Sequence, residues 1–100
     1  MSALVYVTEA AERQIRDALE WWGKNASAEL FADEIERALS FLAEAPGAGA
    51  PFTRARRAGT RRLLLRSTRH WLYYAADPRR DLVYVLALWS NRREGDPPGL

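Results

Sequence analysis

Two hydrophobic periods divide this chain, and the switch between them restricts the folds open to it. From Ala11 to Leu42 the apolar residues recur three and four positions apart. From Leu63 to Trp89 they gather in short runs rich in β-branched and aromatic residues. A chain patterned this way makes helices first and a sheet afterwards. In the first block Ala11, Ile15, Ala18, Leu19 and Trp22 form one apolar stripe, and Ala28, Phe31, Ile35, Ala38, Leu39 and Leu42 form a second. Thr8 and Ser27 stand where helix N-caps belong, with Glu9, Glu12 and Glu29 in the first turns, where the helix dipole favours acids. Gly23 and Asn25 suit the end of the first helix, and Pro46-Gly47 stops the second. Only a few residues separate the two, so they should form an antiparallel hairpin. Opposite the first stripe, Glu9–Arg13, Glu12–Arg16, Arg13–Asp17, Arg16–Glu20 and Glu20–Lys24 are all spaced i,i+4.

Around the hairpin the pattern is that of strands. Ala3–Val7 reads as a short strand, followed after the helices by Arg61–Arg66, Trp71–Ala76 and Leu82–Trp89. The segment DPRRD between the last two places proline at the second position of a type I turn. Pro46–Thr60 reads as a loop. The expected architecture is therefore α+β: an N-terminal strand, an antiparallel helical hairpin, then a three-stranded antiparallel meander, with the helices on one face of the sheet. One domain should span residues 1–93, with 94–100 (EGDPPGL) a flexible tail.

Charge narrows the partners. The net charge of +2 conceals nine acids against four bases in residues 1–45, and eleven arginines against four acids in residues 46–100. Such polarity suits an anionic partner, either an acidic protein or nucleic acid. The chain has no cysteine and one histidine, so neither a disulfide nor a recognisable metal site is expected, and no cofactor. The N-terminal apolar run is too short for a signal peptide and no stretch is long enough to span a membrane, so the expected compartment is the cytoplasm.

Strand parity sorts the candidate site residues. Leu63 and Leu65 should meet the helices, leaving Arg62 and Arg66 on the open face; Arg54, Arg56 and Arg57 lie in the preceding loop. Of Tyr73 and Tyr74, the helix-facing one should be core and the other free to stack. Trp21 and Trp22 cannot share one stripe, so one should lie at the rim. Asp33, Glu34 and Glu36 read as a solvated helix face, and His70 as a polar turn residue that could also serve as a general base.

Three stretches carry a family likeness: VYVTEAAERQIRDALEWW, ALSFLAEAPGAGAPFTRARRAGTRRLLL and HWLYYAADPRRDLVYVLALW. Their order and spacing over residues 3–93 resemble the toxins of the ParE/RelE superfamily, components of bacterial toxin–antitoxin modules. In that likeness AAERQI (Ala10–Ile15) matches the family's first-helix segment, Leu42–Gly49 the end of its second helix, and Arg61 or Arg62 the arginine entering the meander. The resemblance implies two mechanisms. RelE-like members cut mRNA on the ribosome with basic residues and a tyrosine or histidine near the end of the last strand, where this chain has Ser90-Asn91. ParE-like members poison DNA gyrase. The missing acid–base set favours the ParE-like branch, a gyrase-inhibiting toxin with no catalytic residues, neutralised by a cognate acidic antitoxin in a hetero-oligomer. On that reading Arg57, Arg61, Arg62, Arg66, Trp89, Arg92 and Arg93 bind the antitoxin or target. The RelE-like alternative, a ribosome-dependent endonuclease, would use His70, Arg62, Arg66 and Arg92. A third possibility is an inactive, toxin-derived protein that only binds an antitoxin. Direct nucleic-acid binding is the less favoured use of the arginines.

Overall fold

A computed structural model describes residues 2–100. The order is β1 (Leu4–Val7), α1 (Glu9–Asn25), α2 (Ala28–Glu44), β2 (Ala50–Pro51), β3 (Thr60–Leu65), β4 (His70–Asp77) and β5 (Leu82–Ser90). The five strands form one sheet in the order β1-β5-β4-β3-β2. The antiparallel meander β3-β4-β5 is its centre, as the alternation predicts, and the sheet gains a strand at each edge. β1 adds in parallel to β5, with Leu4 opposite Leu82 and Val7 opposite Val85. β2 lies inside the expected loop and pairs with Arg61 and Arg62 of β3. Proline is tolerated there because an edge strand has ladder positions that need no N–H donor.

Both helices start as their caps dictate. The Thr8 hydroxyl accepts from the Ala11 amide and donates to the Val85 carbonyl, so one side chain both opens α1 and ties it to β5. Ser27 accepts from the Leu30 amide. α1 runs through Gly23 and ends at Asn25, whose side chain donates to the Trp21 carbonyl. Of the five i,i+4 pairs only Glu9–Arg13 and Glu20–Lys24 close into ion pairs among the described residues.

The hairpin covers one face of the sheet. Phe31, Ile35, Ala38 and Leu42 of α2 and Ala11 of α1 pack with Leu65, Leu72, Tyr74, Val83, Val85 and Leu88, and Leu63 lies against the same cluster. Burying these side chains supplies most of the driving force for folding. Leu19, at the margin of its stripe, stays largely exposed. The opposite face carries a second, smaller core that the parity argument did not foresee. Tyr73, which faces away from the helices, is 1% exposed, enclosed with Phe52 and Ala87. Neither tyrosine is therefore free to stack on a base. Within residues 94–100, expected to be a flexible tail, Pro97 is buried and Leu100 packs on this cluster.

The turns follow local chemistry. Arg80 donates its amide to the Asp77 carbonyl, closing the type I turn with Pro78 at its second position, and Asp81 follows at φ 56°. Between β3 and β4, Arg69 adopts φ 62°. A bulge between Tyr73 and Tyr74 shifts the β4–β5 register and puts both Leu86 and Ala87 on the second face. Just beyond it, Gln14 of α1 accepts from the Leu88 amide.

Candidate functional site

Two clefts flank the end of the sheet where β4 begins and β5 stops. The larger, of about 570 Å³, lies between the C-terminal half of α1 and the β3–β4 turn. Trp21, Trp22 and His70 border it, and the buried Phe31 links them from behind. Trp21 meets Trp22 edge-on at 5.5 Å, Trp22 stacks on Phe31 at 6.4 Å, and Phe31 meets His70 edge-on at 5.6 Å. Trp21 is the rim member of the tryptophan pair, 54% exposed. The indole N–H groups of Trp22 and Trp89 are buried without an acceptor.

Glu34 holds the turn that shapes this cleft. Its carboxylate accepts from the Ser67 amide at 2.8 Å, the Thr68 amide at 2.9 Å and the Thr68 hydroxyl. The residue thus departs from the solvated helix face expected for Asp33, Glu34 and Glu36. Burial opposes its ionisation, but these hydrogen bonds outweigh that and hold its pKa below the ordinary glutamate value.

His70 opens β4 rather than standing in the turn before it. Its Nδ1 lies 3.0 Å from the Thr68 carbonyl. A carbonyl only accepts, so Nδ1 carries the proton and Nε2 is the free nitrogen of the neutral ring. Burial lowers the His70 pKa, opposed by the Thr68 carbonyl and Glu34 and reinforced by Arg93. A histidine whose folded pKa lies below the unfolded value near 6.5 is protonated more readily in the unfolded chain. Its contribution to stability is complete above that pH and is lost as pH falls from there to the folded pKa. Urea denaturation between pH 7 and pH 5 should show this loss. The slope should be absent in His70→Phe, and an equal slope in both chains would refute the assignment.

The smaller cleft, about 270 Å³, lies on the opposite face. Arg62 is its floor, its guanidinium carbon 3.9 Å from the centre of the Trp71 ring and 5.3 Å from that of Phe52. Arg62 also donates to the Tyr73 hydroxyl at 3.4 Å. Arg54 stacks on Phe52 at 4.7 Å and Arg93 on Trp89 at 4.4 Å. Register brings these groups together, since Arg62 stands opposite Tyr73 and Leu64 opposite Trp71.

The expected site residues therefore disperse. His70 and Arg92 border the larger cleft and Arg62 the smaller, while Trp89 and Arg93 border both. Arg66 falls outside β3 and borders neither. Arg57 packs on Tyr84 at 4.7 Å, and Arg61 donates to the Gly49 carbonyl at 2.7 Å. The proposed nuclease set of His70, Arg62, Arg66 and Arg92 is not assembled at one place. Trp71 and Asp96 also line the smaller cleft but were not among the expected site residues, and Arg54, expected only as a loop arginine, lies there too. The shared parity of Trp71 and Tyr73 was the one available signal, and it needed the register to point at Arg62. Among the described residues no group of three or more His, Asp or Glu could hold a metal ion, and no helix is long and apolar enough to cross a membrane.

Comparison with known proteins gives this geometry its context. Among solved structures, the chain is similar to the toxin–antitoxin complex RelBE2 from Mycobacterium tuberculosis, with 22% identity, 93% of this chain and 95% of that one covered, and a TM-score of 0.66. The chromosomal ParDE system from P. aeruginosa matches at 13% identity over 89% and 96%, with a TM-score of 0.69. The isolated E. coli RelE toxin matches at 17% over 93% and 89%, with a TM-score of 0.65. These similarities share the fold between toxins of both branches. No curated protein matches in sequence. The family model described as the ParE toxin of the type II toxin–antitoxin system parDE matches residues 5–95, and the chain belongs to that family.

Proposed function

We propose that this ParE-family toxin acts by binding DNA gyrase rather than by cleaving RNA, and that an acidic antitoxin neutralises it. The observation that carries this reading is the separation of His70 from Arg62 and Arg66; of the arginines in the nuclease set only Arg92 shares its cleft. His70, the one histidine, packs against Phe31 on the helix side, whereas Arg62 sits on the other face of the sheet. Phosphodiester cleavage by general acid–base catalysis requires those groups at one phosphate. The Tyr73 hydroxyl, the nearest other candidate, belongs to a buried residue and is engaged by Arg62. The smaller cleft, lined by Arg54, Arg62 and Arg93 without a histidine, suits binding. The antitoxin follows from the module to which the family belongs and from the excess of arginine in residues 46–100.

Supercoiling by purified gyrase is the test. Micromolar protein should inhibit supercoiling or raise the level of cleavage complexes, and unchanged activity at that excess removes gyrase as the target. Primer extension on translated mRNA distinguishes the RelE-like alternative: new 5′ ends dependent on the ribosome would replace the binding mechanism with a cleaving one. Normal growth on expression without the antitoxin would point to an inactive, antitoxin-binding protein.

A further inference from the structure

One wall of the smaller cleft carries an anion, Asp96. The Asp96 carboxylate accepts two hydrogen bonds from Arg54, one from Nε and one from a terminal nitrogen, each at 3.1 Å. This bidentate contact, together with the charge of Arg62, keeps the Asp96 pKa below its ordinary value. The contacts continue along the segment. Pro97 is buried, and Leu100 packs against the cluster of Phe52, Tyr73 and Ala87. Gly95 makes the approach possible at φ 75°, a conformation that side-chain-bearing residues rarely adopt. Stacking occupies the faces of the arginine side chains and leaves their in-plane N–H donors for a carboxylate. The chain's own segment thus runs along the edge of the cleft as a peptide ligand would: a carboxylate on an arginine fork, then a proline, then an aliphatic side chain on the neighbouring apolar cluster.

We propose that this cleft is a docking site for an extended acidic segment of a partner protein, and that residues 95–100 occupy it in cis. The partner segment carries a carboxylate followed within a few residues by an aliphatic side chain, and it binds by displacing the chain's own. This deepens the acidic-antitoxin reading and rests on it for the identity of the partner, but the competition can be measured without any antitoxin. An isolated exposed ion pair contributes little, so the cis contact is weak enough to be displaced. Its effect is to lower the fraction of open clefts, and apparent affinity falls in proportion to that fraction.

The probe is a fluorescein-labelled synthetic copy of residues 94–100, titrated by anisotropy with the full chain. It should bind Asp96→Arg roughly threefold to tenfold more tightly than the wild-type chain, because the variant places a cation against Arg54 and Arg62 and vacates the cleft. Asp96→Asn, which keeps the size of the side chain, should give a smaller gain in the same direction. Adding Arg54→Ala and Arg62→Ala to Asp96→Arg should abolish binding, as should asparagine for aspartate in the probe. Equal affinity for the wild-type and Asp96→Arg chains would overturn the cis competition, and so would indifference to the probe's carboxylate. A ten-nucleotide single strand that gains affinity for Asp96→Arg while the peptide does not would replace the peptide site with a nucleic-acid site. If the peptide behaves as expected but a purified acidic antitoxin ignores Arg54→Ala plus Arg62→Ala, the docking site stands and only the partner's identity fails.

Discussion

Replacing Gly49 with alanine should destabilise the protein by about 2–3 kcal/mol, the upper range for overpacking a buried site. For a domain of this size that lowers the melting temperature by roughly 10 °C or more. Gly49 is buried where the chain leaves α2 and turns into β2. A Cβ built on it falls inside contact distance of the Tyr74 hydroxyl and 2.6 Å from the Arg62 carbonyl oxygen. Neither can retreat easily. The Tyr74 hydroxyl accepts from the Gly49 amide, and the Arg62 carbonyl belongs to the backbone of β3. The Gly49 carbonyl is also engaged, accepting from Arg61. Tyr74→Phe alone should cost about 1–3 kcal/mol, by leaving the Gly49 amide unpaired in a buried setting. Combined with Gly49→Ala it removes one of the two clashes, so the double variant should be more stable than the sum of the single losses predicts. Strict additivity by thermal or urea denaturation would show that the hydroxyl is not the obstacle.

Glu34→Ala should cost about 2 kcal/mol, because it withdraws a charged acceptor from three donors at once. The Thr68 hydroxyl, on a residue 4% exposed, would suffer most. Glu34→Gln should recover part of the loss, since an amide oxygen still accepts. The pH dependence separates this carboxylate from His70. With its folded pKa depressed, Glu34 contributes stability that is complete above the ordinary glutamate value of 4.5 and is lost as pH falls through the folded pKa. Wild-type stability should therefore decline in two stages on acidification, the first below pH 6.5 from His70 and the second below 4.5 from Glu34. Glu34→Ala should lose the second stage and keep the first. The turn that Glu34 holds also bounds the larger cleft, so the substitution should raise amide exchange at Ser67 and Thr68.

Local patterns were enough for the helices and the longer strands but not for β2 or for the places where the elements meet. The helical stripes, both N-caps, the DPRRD turn and the rim position of Trp21 all follow from spacing and residue chemistry along a few consecutive positions. The parity of β3 also holds, with Leu63 and Leu65 toward the helices. Glu34 was indistinguishable from Asp33 and Glu36, since only the docked turn gives it donors. β2 is two residues long and has no period of its own. The second core needs Phe52 from the loop, Tyr73 from β4 and Leu100 from the far end, three positions linked by no sequence spacing. The smaller cleft inherits that difficulty, because its aromatic and arginine residues converge only through the β3–β4 register and the return of residues 95–100.

The parallel pairing of β1 with β5 also governs when the molecule comes into being. The four residues of β1 wait for a neighbour about eighty positions later, and that neighbour is inserted between β1 and β4. Contacts so distant in sequence slow folding, since the intervening chain must be ordered before they form. During synthesis the helical hairpin leaves the ribosome with its apolar stripes facing an incomplete sheet. Trp89 and Ser90 border both clefts, so neither is complete until the final strand is in place. Closure of the sheet and completion of both clefts are thus one event.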